Sequence, residues 1–115
     1  MQIIFESRDT EGRQLQGVAE QRVRFVLRRL SWLVSQASIR LSDVNGPRGG
    51  VDKQCQVEFK MHGNGRIVTT ALAADWRSAL EGALARAATR VVRSVRRSQS
   101  RQRLQPRFDM PGTGS

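Results

Sequence analysis

The run from Ala74 to Arg97, ADWRSALEGALARAATRVVRSVRR, limits the fold more than any other part of the chain. Ala79, Leu80, Ala83, Leu84, Ala87, Val91 and Val95 recur at three- and four-residue steps, which places them on one face of a helix. A helix with one apolar stripe needs an apolar surface to lie on. Asp75 stands just before the periodic run and predicts the N-cap. Arg86, Arg90, Arg93 and Arg97 recur at the same steps on another side, as a ladder of neighbouring guanidinium groups. Their crowding toward the C-terminal end suits the helix dipole. Like charges so close repel, and an anion laid along the ladder would relieve that repulsion. The competing explanation is a solvated charged face in which arginine acts only as a helix former.

The surface for this helix is written upstream. Residues Lys53 to His62 alternate, with Cys55, Val57, Phe59 and Met61 on one side and Gln54, Gln56, Glu58 and Lys60 on the other. That pattern describes a sheet buried on one face and wet on the other. Gly63-Asn64-Gly65 predicts a hairpin turn into a strand over Arg66–Ala73. Ala37–Val44 alternates in the same way, and Gln2–Ser7 is short and apolar enough for a further strand. Residues 11 to 34 predict the first helix, with Thr10 as its N-cap. Leu15, Val18, Ala19, Val23, Val26, Leu27, Leu30 and Leu33 or Val34 form its stripe, and Phe25 and Trp32 widen it against a sheet. Arg22, Arg28 and Arg29 decorate its other sides.

The expected architecture is therefore a single α+β domain of order β-α-β-β-β-α. Two helices pack on one face of a four-stranded sheet, and their arginines face outward together. Residues 1–98 are expected to form the domain and 99–115 a basic, disordered tail, polar and broken by proline and glycine. Phe108 and Met110 are the tail's only bulky apolar pair besides Leu104. The segment from Asn45 to Asp52 is a Gly-Pro loop without the lysine and hydroxyl residue of a P-loop. It serves either as a plain connection or, through Arg48 and its glycines, as a close approach to phosphate.

Charge narrows the function. The chain has 115 residues, with Lys+Arg 20 against Asp+Glu 10, and a formal net charge of +10. Such an excess favours a polyanionic partner. No apolar run is long enough to span a bilayer. The start lacks the basic and apolar regions of a secretory leader, and one cysteine forms no internal disulfide, so a cytoplasmic protein is expected. Catalysis finds no support. Cys55 and His62 are the only residues of their kinds, lie on opposite faces of one strand, and make neither a metal site nor a nucleophilic pair. No carboxylate pair stands out, and no cofactor is expected. Aromatics are 5% with no Tyr, and Phe5, Phe25, Phe59, Trp32 and Trp76 are expected in the core or at its margin. Base stacking is thus a poor explanation, and helical arginines suit phosphate contacts to structured RNA.

The order of elements, the segment DVNGPRGGVDKQCQVEFK from Asp43 to Lys60, and ADWRSALEGALAR from Ala74 to Arg86 together resemble the bacterial ribosome hibernation-promoting factor and ribosome-associated inhibitor family. Asp75, Trp76, Ser78, Ala79, Leu80 and Glu81 stand in the places of that family's motif at the start of the second helix. Arg77 stands where the family has Tyr. The resemblance implies a non-enzymatic translation inhibitor in the channel between head and body of the small ribosomal subunit. There it blocks messenger RNA and tRNA in starved or stationary-phase cells. It implies 16S ribosomal RNA contacts from Arg22, Arg28 and Arg29 on the first helix and from Arg86, Arg90, Arg93 and Arg97 on the second. The chain lacks the extra C-terminal domain of long members, so pairing of ribosomes would require another hibernation factor. A general double-stranded RNA-binding module shares the α-β-β-β-α layout and is the alternative. Its lysine cluster at the start of the final helix is replaced here by Asp75-Trp76-Arg77.

Overall fold

The computed structural model describes residues 1–44, 52–63 and 65–104, with side chains described up to 97. The expected α+β architecture is present. The elements are β1 (Gln2–Ser7), α1 (Thr10–Arg13), α2 (Gln16–Val26), a 3-10 turn (Ser31–Leu33), β2 (Val34–Asp43), β3 (Lys53–Met61), β4 (Arg66–Ala73) and α3 (Trp76–Leu104). The strands lie in the order β1-β2-β3-β4. β1 runs parallel to β2, and the remaining pairs are antiparallel. β1 and β4 are therefore the edges. The turn at Asn64, the loop residues Asn45–Val51 including Arg48, and the tail residues Phe108 and Met110 lie outside the described residues.

Alternation decides which face of the sheet is covered. Ala37, Ile39 and Leu41 of β2 stand beside Phe59, Val57 and Cys55 of β3, and all are buried. Thr69 and Ala71 of β4 continue the buried rows from Val57 and Cys55. Both helices close this one face. Val23 of α2 and Leu27 just beyond it meet Leu80, Leu84 and Val91 of α3 in the same core cluster. Truncating a fully buried leucine of this kind to alanine costs about 2–5 kcal/mol.

α3 lies close on the sheet because its inner side is small. Ala79, Ala83 and Ala87 are fully buried. A Cβ placed on Gly82 would stand 3.2 Å from that of Ala71, so the helix approaches β4 closely at this point. The buried Thr69 hydroxyl donates to the Ala83 carbonyl at 2.8 Å and joins strand to helix. Asp75 caps α3 as expected, accepting from the Ser78 backbone N–H at 2.9 Å and its hydroxyl at 2.8 Å. α3 runs on to Leu104, past Arg97, where the apolar period ends in the sequence, and past the boundary expected at residue 98.

The predicted first helix over 11–34 is broken instead. Asp9, not Thr10, caps its start, accepting from Glu11 N–H at 2.8 Å and Gly12 N–H at 3.3 Å. The helix is interrupted at Gln14 and Leu15, between Gly12 and Gly17, residues that favour helix poorly. After Val26 the chain tightens. Leu30 N–H donates to the Leu27 carbonyl and Leu33 N–H to the Leu30 carbonyl, both three residues back. Leu27, Leu30 and Leu33 face inward at the three-residue step of a 3-10 path, which over so short a run is hard to tell from helical spacing. β2 consequently begins at Val34, earlier than the predicted Ala37.

Candidate nucleic-acid interface

The arginines marked by spacing end in different surroundings. Arg22 faces the seam between α2 and α3, where its Nε lies 2.9 Å from Glu81 Oε2. Arg77 approaches the same carboxylate at 3.9 Å from one turn before it. Both Arg22 and Glu81 are about one third exposed, so the pair contributes about 0–1 kcal/mol. Its larger effect is to fix Arg22 and offset its charge.

Arg86 and Arg90 turn to the opposite flank of α3. Arg86 donates to the Thr70 carbonyl at 2.6 Å and Arg90 to the Val68 carbonyl at 2.9 Å. β4 is an edge strand, so these alternate carbonyls point away from β3 and would otherwise meet only water. The upper half of the ladder thus seals the sheet edge. Both residues stay exposed, and a guanidinium with five N–H donors keeps some of them for another acceptor. Arg93 and Arg97 are exposed further along α3, together with Arg96, which the ladder spacing leaves out. From Gly82 to Leu104 the helix contains no Asp or Glu. Its C-terminal half is the most cationic part of the described chain.

A second cationic surface spans the last turn of α2, which carries Arg24, and the turn after it, where Arg28 and Arg29 lie beyond the helix expected to hold them. Arg24, Arg28 and Arg29 are exposed. Two residues assigned to the core margin by sequence are exposed among them: Phe25 at 53% and Trp32 at 68%. This corrects the placing of both rings. Phe59 and Trp76, by contrast, are buried as expected. The end of α2 turns sharply and lifts Trp32 off the sheet. The signal was present in the spacing: Arg22, Phe25, Arg29 and Trp32 follow one another at steps of three, four and three.

The wet face of the sheet has a different balance. Glu6 pairs with Arg40 at 3.2 Å and Glu58 with Arg66 at 2.6 Å. Positive charge without local compensation therefore lies chiefly on the helical layer. Cys55 is buried in the core, and burial pushes its thiol up to about 12, which keeps it protonated. His62 stands exposed at the end of β3. Among the described residues no group of three or more His, Cys, Asp or Glu side chains could hold a metal ion. None of the described helices is long and apolar enough to cross a membrane.

The fold has relatives of known structure. A ribosomal subunit interface protein from Coxiella burnetii superposes with a TM-score of 0.68 at 15% identity, covering 82% of this chain and 97% of that one. The N-terminal domain of Protein Y from Thermus thermophilus gives 0.59 at 18% identity, covering 80% and 93%. At such identities the likeness establishes the fold. No protein-family model and no curated protein matches the chain.

Proposed function

We propose that this chain is a ribosome-binding translation inhibitor of the hibernation-promoting type. It sits in the decoding channel of the small subunit, with the arginines of its helical layer on 16S ribosomal RNA. The folded body fills space that messenger RNA and the anticodon ends of tRNA would occupy. Inhibition then needs no chemical step, only occupancy. The setting is the cytoplasm of a starved or stationary-phase bacterial cell.

The observation that carries this reading is the fold shared, along most of the chain, with a structure named as a ribosomal subunit interface protein. The charge layout supports it. Guanidinium groups carried along a helix and on the turn that follows another suit phosphates held in a fixed RNA shape, and such contacts position a protein without reading sequence. Arg93, Arg96 and Arg97 on α3, and Arg28 and Arg29 after α2, are exposed for this role. Arg86 and Arg90 contribute the N–H groups that β4 leaves over. Arg22 acts mainly by holding the two helices in register through Glu81.

The test is order of addition in cell-free translation. Protein added to small subunits before messenger RNA should suppress synthesis strongly, and protein added after initiation should do so weakly. Unaffected synthesis at saturating protein in both orders would overturn the proposal.

A further inference from the structure

We propose that Trp32 is a stacking platform for an unpaired nucleobase of the bound RNA, within a phosphate-binding surface made by Arg24, Arg28 and Arg29. The inference rests on the RNA-binding reading above and adds what that surface recognises: a base out of its helix rather than phosphates alone.

The ring is held in place. Trp32 Nε1 donates to the Arg29 carbonyl at 3.1 Å, which fixes the indole against its own turn. Leu33, beside it, is pinned as well, because its carbonyl accepts from the His62 backbone N–H at 2.8 Å. With its only polar group used internally, the exposed indole presents a π surface and no donor. That suits stacking, which tolerates any base, better than hydrogen-bonded readout.

The surroundings select a polyanion over an apolar protein partner. From Gln21 to Ser42 the chain carries no Asp or Glu. Phe25 supports Arg28, whose guanidinium lies 4.4 Å from its ring centroid; Arg22, whose charge Glu81 offsets, lies 5.1 Å from the same ring. Arg28 also donates to the Phe25 carbonyl at 2.9 Å. A guanidinium held against a ring loses less freedom when it meets a phosphate. An exposed aromatic bonded to the Arg29 backbone, in a segment that carries Arg24, Arg28 and Arg29 and no acid, matches the chemistry of a single-stranded or looped RNA.

The two tryptophans allow a clean experiment, since Trp76 is 3% exposed and Trp32 is 68% exposed. Emission from Trp32 is read as the difference between wild type and Trp32→Phe. The full chain is titrated with short oligouridylate, with an abasic oligomer of equal length, and with small ribosomal subunits by pelleting. Oligouridylate should quench Trp32, and the abasic oligomer should not. Trp32→Ala should weaken binding to oligouridylate and to subunits on the order of tenfold, with an unchanged salt slope because no phosphate contact is lost. Trp32→Phe should recover part of the loss. Circular dichroism of the variants verifies folding, which an exposed ring does not govern. Subunit and oligouridylate binding by Trp32→Ala equal to wild type, or quenching by the abasic oligomer, would overturn the inference while leaving ribosome binding intact. Wild type that binds neither RNA nor subunits would overturn the inference and the parent reading together.

Discussion

Identical residue types carry different duties here, and the neighbours decide which. Arg22 is engaged by Glu81, Arg86 and Arg90 by the carbonyls of an edge strand, and Arg93 and Arg97 are exposed beyond them. Asp75 shows the same dependence on neighbours. Two hydrogen bonds from Ser78, the backbone one first, hold its carboxyl below the ordinary value of 3.8. A depressed folded pKa means that the cap's contribution is complete above 3.8 and fades as pH falls through the lower folded value. Asp75→Ala should therefore lower the thermal midpoint at neutral pH, and its gap from wild type should close in strong acid. Thermal unfolding of both proteins from neutral pH to about pH 2 checks this. A gap of equal size across the range would contradict the assigned role. The cap was legible in the sequence because Asp75 directly precedes a strict apolar period. The cap at Asp9 was not, since Thr10 beside it is an equally good candidate by residue type.

At the scale of elements, strict periods were legible and mixed ones were not. β3, β4 and α3 follow one repeat each, and the structure keeps them within a residue or two at their starts. The first helix failed because Leu27, Leu30 and Leu33 fit a 3-10 path as well as an α-helix. That break is also why Trp32 reaches solvent. The destination of Arg86 and Arg90 needed the strand order, since only an edge strand leaves carbonyls for them. Replacing both with alanine should unseal β4. The expected cost is about 1–2 kcal/mol from the lost hydrogen bonds, read as a lower urea midpoint. Concentration-dependent self-association by size-exclusion chromatography should accompany it, because bare edges pair. An unchanged midpoint and a strictly monomeric variant would contradict the sealing role.

For the whole molecule, the central feature is the separation of charge between its two faces. The wet sheet face pairs much of its charge, while the helical layer concentrates arginine without acids nearby. Composition pointed to a polyanionic partner, and spacing placed most of the cations on helices. Which cations stay exposed depended on packing that no single-sequence pattern carries. A chain built in this way should meet RNA with its helices, and the exposed end of the ladder should matter most. The most direct measurement is co-sedimentation of the full chain with small ribosomal subunits at low and moderate salt, with an RNA duplex as competitor. Wild type is compared with Arg93→Glu/Arg97→Glu. Near-stoichiometric binding that resists the duplex, together with its loss in a double variant of unchanged thermal midpoint, is the predicted result. Binding that the duplex or modest salt removes, or that survives both charge reversals, would contradict the account.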